Sequence, residues 1–327
     1  MNKRNFLTTC TALATLALGL TATGASAQDF PPKKPVTMVV GFAAGGAADT
    51  AARLIAKKLG ENIGQSVVID NKAGAGGNIA HQFAANGPAD GSVILFGSVG
   101  PLAIAPHLMK LPYDPVRDLA PITMGVNFPN VLVVNNQTGI KTFADYIAFA
   151  KKNPGKLDFA STGAGSASHL AGEYLNELAG IDTVHIPYKG GAPALQDLLG
   201  GRVAAYFSTP STAQAYIDNG QLIALASTGQ QRMASLPKIP TIAESGYPGF
   251  SATNWYAFVA TSKMPKQLLD RWNIELVKVL KTPDVVEQLN KHGLTPMPGT
   301  RDELARYIAS ETATWGRVIR ERKITVE

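Results

Sequence analysis

From Val36 onward the chain alternates short apolar runs with stretches of helical period. "VTMVVGF", "SVVIDN" and "SVILFGS" read as strands, and "AADTAARLIAKKLG" and "GNIAHQFAAN" between them carry apolar residues at helical spacing. A Pro-rich connection, "LPYDPVRDLAPIT", follows, and the pattern then restarts. The strands "NVLVVNN", "KLDFAS", "TVHIPY", "VAAYFS" and "QLIALAS" alternate with the helices "TFADYIAFAKKNPG", "ASHLAGEYLNELAG" and "APALQDLLGG". Such alternation predicts an α/β protein with mainly parallel sheets. After Pro248 come one extended run, "GFSATNWYAFVAT", and three helical patterns ending in "TRDELARYIASETATWGRVIRERK". One strand with three helices cannot build a sheet of its own. The economical arrangement is a first domain over 28–130, a second over 131–250, and a return to the first over 251–327, with crossovers near 127–131 and 248–254. No fixed-period repeat is visible.

The first 27 residues read differently. Lys3 and Arg4 precede an apolar run to Leu20 and the small-residue motif Ala25-Ser26-Ala27, the pattern of a secretory signal peptide cleaved before Gln28. The run is too short to span a membrane. Cys10, the only cysteine, lies inside it, so the mature chain would be exported without disulfides, which fits a bacterial periplasm. Removing residues 1–27 leaves 28 basic against 24 acidic groups, a net charge of +4. That mild excess favours an anionic ligand. The basic residues are scattered and not interleaved with aromatics, which argues against nucleic-acid binding.

Candidate chemistry concentrates in glycine-rich loops. "GFAAGGAA" (41–48) has the glycine spacing of a P-loop, but Ala47 and Ala48 replace the lysine and hydroxyl that nucleotide hydrolysis requires. No G-x-G-x-x-G occurs there or in "NKAGAGGNIA" (71–80), so a dinucleotide is not expected. What remains is the general affinity of helix N-termini for anions, carboxylates included. "FGSVGP" (96–101) and "STGAGSASH" (161–169) follow strands in the same way. In open α/β sheets such loops gather at the carboxyl ends of the strands, where ligands bind. Asp49 fits two roles, an i,i+4 partner of Arg53 or an acceptor for a ligand hydrogen. His169 fits either packing or ligand contact; His185 reads as structural; His81, His107 and His292 lack metal spacing, so neither metal nor cofactor is expected. Ser98 approaches a nucleophile elbow, but Phe96 replaces its first glycine.

Taken together, "VVGFAAGGAADTAARLIAKKL", "VVIDNKAGAGGNIA", "LPYDPVRDLAPIT", "STGAGSASHLAGEYL", "VHIPYKGGAPALQDLLGGRV" and "RMASLPKIPTIAESGYPGF" resemble the tripartite tricarboxylate transporter substrate-binding proteins, the Bug family, in order along nearly the whole mature chain. The resemblance implies a type II periplasmic-binding-protein fold, two α/β domains with a ligand cleft between them. It also implies a monomeric receptor that hands a small carboxylate (tricarboxylate, dicarboxylate, amino acid or aromatic carboxylate) to membrane permease subunits. Family members hold the carboxylate through backbone N–H groups and hydroxyls. Carried onto this chain, those positions are Phe42, Ala43, Ala44, Gly45, Gly46, Asp49, Ala75, Gly76, Gly77, Asn78 and Ser98 on one side, with Ser161, Thr162, Ser166, His169 and Ser208 on the other. The alanines of the first loop depart from the aromatic, polar and proline residues common in the family, and point to a bulky or apolar ligand body. No arginine falls in these loops, so helix ends must supply the positive potential. The alternative from another class is a periplasmic hydrolase acting on a small carboxylate ester.

Overall fold

The computed structural model describes residues 30–325; the signal-peptide pattern at 1–27 lies outside them. Eleven strands among the described residues form two sheets, one in the order β11-β4-β10-β3-β1-β2 and one in the order β7-β6-β8-β5-β9. The first contains β1 (Val36–Val40), β2 (Val67–Asn71), β3 (Val93–Ser98), β4 (Leu119–Pro129), β10 (Thr253–Thr261) and β11 (Thr295–Pro296). The second contains β5 (Val131–Asn135), β6 (Asp158–Ser161), β7 (Val184–Pro187), β8 (Ala205–Ser208) and β9 (Leu222–Ser227). The sheet of β1 with its helices is called lobe 1 below, and that of β6 lobe 2.

The two lobes repeat one plan. In lobe 1 the parallel set β2-β1-β3 is flanked by antiparallel β10, and in lobe 2 the parallel set β7-β6-β8 is flanked by antiparallel β5. The expectation of mainly parallel sheets is therefore amended at β10 and β5. These strands enter a sheet directly from the other lobe, and only a helical crossover would have turned them parallel. Asn130 alone separates β4 from β5, while residues 228–252 lead back to β10.

Two elements were not legible as such. β4 begins inside the Pro-rich connection and pairs with β10 along its length, with register shifts that leave Gly125 and Ile122 unpaired. Its prolines sit at or near those irregularities, where a missing N–H costs the ladder least. The helix α6 (Pro210–Asp218) starts in "STPST", where Pro210 occupies the first turn, the one helical place that tolerates it.

The remaining helices follow local signals. α1 (Ala47–Ile63) ends at Gly64, which takes the left-handed conformation. α2 spans Asn78–Ala85, α4 Ala167–Ala179 and α5 Gly191–Leu199. α3 (Phe143–Lys152) and α9 (Arg301–Glu321) open with capping boxes, Thr142 with Asp145 and Thr300 with Glu303. α7 (Lys266–Leu280) and α8 (Pro283–Lys291) cover lobe 1, where Trp272, Leu276 and Val285 pack against Val36, Ile55 and Phe258. Val131, Leu195, Leu198 and Tyr206 form a core specific to lobe 2. The largest apolar cluster is shared: Leu102, Ile104 and Trp255 join Leu170, Tyr174 and Phe250, with the Tyr174 and Phe250 rings stacked at 4.8 Å.

Candidate functional site

Every candidate loop leaves the carboxyl end of a strand, and the shared plan of the lobes brings these loops face to face. The loop after β1 meets the loop after β7: the Ala43 N–H donates to the Lys189 carbonyl at 3.0 Å. Gly190, with φ of 146°, permits this contact, since a methyl there would lie 2.9 Å from the Ala43 nitrogen. The loop after β2 meets the loop after β6, and a methyl on Gly76 would lie 2.2 Å from the Ala164 carbonyl oxygen. The two lobes are thus in their closed relation.

In lobe 1 the first loop is held by Asp49, which is buried. Asp49 Oδ2 accepts the Gly45 N–H at 3.0 Å and Arg53 Nε at 2.9 Å, and Oδ1 accepts Asn71 Nδ2 at 3.0 Å. Asn71 Nδ2 also donates to the Phe42 carbonyl. Burial pushes the Asp49 carboxyl up, but the Arg53, Gly45 and Asn71 bonds outweigh it and hold the group below its usual range. Asp49 therefore braces Phe42–Gly46 from behind. No side chain caps α1, and the N–H groups of Ala47 and Ala48 meet no acceptor among the described residues.

The second loop of lobe 1 is a run of left-handed residues, Gly74, Ala75, Gly76 and Gly77. For Ala75, with φ of 48°, that conformation costs about 1–2 kcal/mol. Asn78 Nδ2 ties back to the Ala75 carbonyl at 2.8 Å, and its Oδ1 accepts the buried Tyr113 hydroxyl at 2.7 Å. Behind the loop, His81 Nδ1 faces the Gly77 carbonyl at 2.9 Å, while the Ser98 N–H donates to Nε2 at 3.3 Å. One nitrogen donates and the other accepts, which only a neutral imidazole can do. Burial pushes its pKa down to about 4. Ser98 Oγ, by contrast, is buried without a hydrogen-bond partner.

Lobe 2 satisfies its polar atoms internally. Ser166 caps α4 by accepting the His169 N–H, and its hydroxyl lies 3.1 Å from that of Ser168. Ser168 in turn accepts the Thr162 N–H at 2.9 Å. Ser161 Oγ accepts the Gly163 N–H at 3.0 Å and lies 2.5 Å from His185 Nε2. His169 Nδ1 accepts the Gly165 N–H, and its ring stacks on His185 at 3.9 Å. Burial holds His169 at about 4 although Glu173 is 3.8 Å from its Nε2. Burial, then the neighbouring His169, brings His185 to about 3. Ser208 is buried and donates to the Thr209 carbonyl.

The loops 42–46, 75–78 and 161–166 thus come together across the lobes, with Ser98 beside Gly77; Asp49, His169 and Ser208 act one layer behind. Sequence reasoning missed Asn71, His81, Tyr113 and the 189–191 segment. It also missed the joint between the lobes. There the Asn130 N–H donates to Thr228 Oγ1 at 2.9 Å, and that hydroxyl donates to the Ala252 carbonyl at 2.7 Å, clamping both crossovers. "YKGGA" at 188–192 carried a readable signal, a glycine pair ahead of a helix; the rest had none. No group of three His, Cys, Asp or Glu among the described residues could hold a metal, and no helix among them is long and apolar enough to cross a membrane.

Two pseudo-equivalent α/β lobes, joined by crossing strands and closing glycine loops on one another, define the class of two-lobed periplasmic binding proteins. The chain is similar to the R. palustris protein Rpa4515 with adipate at TM-score 0.87 and 33% identity, over 91% of this chain and 99% of that one. It is similar to MatC from Rhodopseudomonas palustris with bound malate at TM-score 0.84 and 29% identity, over 88% and 99% of the two chains. BugT of Bordetella pertussis is 37% identical over 94% of this chain and 96% of its own. The model of the tripartite tricarboxylate transporter family receptor matches residues 51–324, and the chain belongs to that family of solute-binding receptors.

Proposed function

We propose that the protein captures a small carboxylate in the cleft between its lobes and delivers it to the permease subunits of a tripartite tricarboxylate transporter, acting as a monomer without catalysis. Residues 1–27 would export it to the periplasm. The divisions 28–130, 131–250 and 251–327 describe the bodies that move, with Pro129–Val131 and the segment before Thr253 as their hinges. The observation that carries this reading is the meeting of N–H-rich loops from both lobes around unpartnered Ser98 Oγ, without a cationic side chain. The adipate and malate of the two solved relatives favour the same ligand class.

In this reading the carboxylate sits on the backbone of Phe42–Gly46 and Ala75–Asn78 with Ser98, and lobe 2 completes its shell through Ser161, Thr162 and Ser166. Asp49, His169 and Ser208 shape these loops. Ligand contacts available only in the closed form select that form. The hydrolase alternative finds one supporting contact, Ser161 with His185. Ser161 is fully buried, and an imidazole whose pKa is about 3 is a weak base at neutral pH.

The test is a thermal-shift panel of adipate, malate, citrate, nicotinate, benzoate and acidic amino acids. A bound carboxylate at a hundredfold excess over its dissociation constant adds about 2.7 kcal/mol of stability. No shift across the panel, after unfolding and refolding to remove carried-over ligand, would sink the reading.

A further inference from the structure

α1 and α5 begin without a side-chain cap, at Gly46 and Gly190, and their first turns meet across the lobes. The Cβ position of Gly46 is 3.6 Å from the Gly191 nitrogen and 3.9 Å from that of Ala192. Two partial positive charges of about half a unit each therefore converge with no intrinsic counter-charge. Tyr206, on β8, adds a second and independent feature. It is fully buried, its hydroxyl has no hydrogen-bond partner, and its oxygen lies 3.1 Å from the Cβ position of Gly191, at the start of α5. The hydroxyls around it are engaged elsewhere: Thr212 with Thr209 at 2.7 Å, and Ser208 with the Thr209 carbonyl. A buried phenol left unpaired costs about 1–3 kcal/mol unless something accepts its proton.

Resting on the receptor reading above, we propose that the Tyr206 hydroxyl and the facing N-termini of α1 and α5 form an anion subsite that selects ligands with two carboxylates. The shared plan of the lobes supplies the other end. The starts of α2 and α4, with Gly76 against Ala164, make the counterpart pair of helix ends beside Ser98. Phe42 lies between the two pairs: its ring is 3.6 Å from the Cβ position of Gly77 and packs on Tyr256, giving the ligand body an aromatic wall. A dicarboxylate reaches both ends, and its monocarboxylate counterpart only one.

Calorimetric titration of wild type and Tyr206→Phe with adipate against hexanoate, and malate against lactate, tests this. Wild type is expected to bind one dicarboxylate at least tenfold tighter than its monocarboxylate partner. Tyr206→Phe is expected to weaken that dicarboxylate about ten- to hundredfold, a charge-assisted hydrogen bond lost, while monocarboxylate affinity and the melting temperature of the ligand-free protein stay put. Unchanged dicarboxylate affinity in Tyr206→Phe, or equal binding of both partners by wild type, overturns the subsite and leaves the carboxylate receptor standing. A lower ligand-free melting temperature in the variant makes the hydroxyl structural and overturns it too. Failure of wild type to bind any of the four, with no shift in the wider panel, removes the receptor reading and this inference together.

Discussion

The first loop of each lobe follows the middle strand of a parallel set and opens a helix, yet the two are finished differently. In lobe 1 the loop 41–46 ends on a bare Gly46, Asp49 supports it from behind, and Ser98 Oγ is left unpartnered. In lobe 2 the loop 161–166 ends on a Ser166 cap, and Ser161, Thr162, Ser168 and His169 are bonded among themselves. Lobe 1 therefore keeps donors that nothing in the protein uses, and lobe 2 presents a preorganised surface against which a ligand already held can be closed. The asymmetry gives binding an order: capture on lobe 1, then closure of lobe 2.

Acid should separate the lobes most strongly. Neutral buried His81, His169 and His185 have folded pKa values of about 4, 4 and 3, below the unfolded value near 6.5. The unfolded state binds the extra protons, so their contribution is complete above about pH 6.5 and is lost as pH falls towards the folded values. By pH 5 the loss is about 2 kcal/mol per histidine, twice as much in lobe 2, which holds two of the three. Hydrogen exchange at pH 7 and pH 5 should show lobe 2 amides losing protection first; equal loss in both lobes would contradict the assignment. The Asp49 carboxylate acts in another window, its depressed pKa withdrawing support only as pH falls below about 4.

Next in size is the seam. Gly76→Val places atoms where Ala164 sits and forces a β-branched residue into a left-handed conformation, so closure is blocked. Ligand affinity should fall at least a hundredfold while the chain still folds, and small-angle scattering should find ligand unable to compact the protein. Asp49→Ala should lower stability by about 2 kcal/mol, because Arg53, the Gly45 N–H and Asn71 lose their acceptor. Denaturant unfolding measures this, and a neutral result would mean the first loop is held by other contacts. The smallest effects are the sharpest for the comparison. Ser166→Ala should cost about 1 kcal/mol of ligand-free stability as a lost cap, whereas Ser98→Ala should leave stability alone and weaken binding about tenfold.

Strand and helix periods made the α/β class legible because burial on a sheet or helix face repeats every two or three to four residues. β4 escaped that reading, since its prolines and polar residues are tolerated only where register shifts against β10 absorb them. The loops 41–46, 71–80 and 161–169 could be picked out because glycine before a helix has a local meaning. Gly190 and Gly191 carry the same signal, but its importance arises from contact with Ala43, far away in sequence.

The sequence by itself determined the alternation of elements, the glycine-rich turns and the membership of a family, because each depends on neighbours a few residues apart. Only the tertiary structure decided which polar atoms are spent and which are free. Asp49 and His169 look as available in the sequence as Ser98 and Tyr206, yet the first two are consumed by loop N–H groups and the last two are not. Whether a donor finds an acceptor is a matter of distances of about 3 Å between segments that the chain brings together from anywhere along its length.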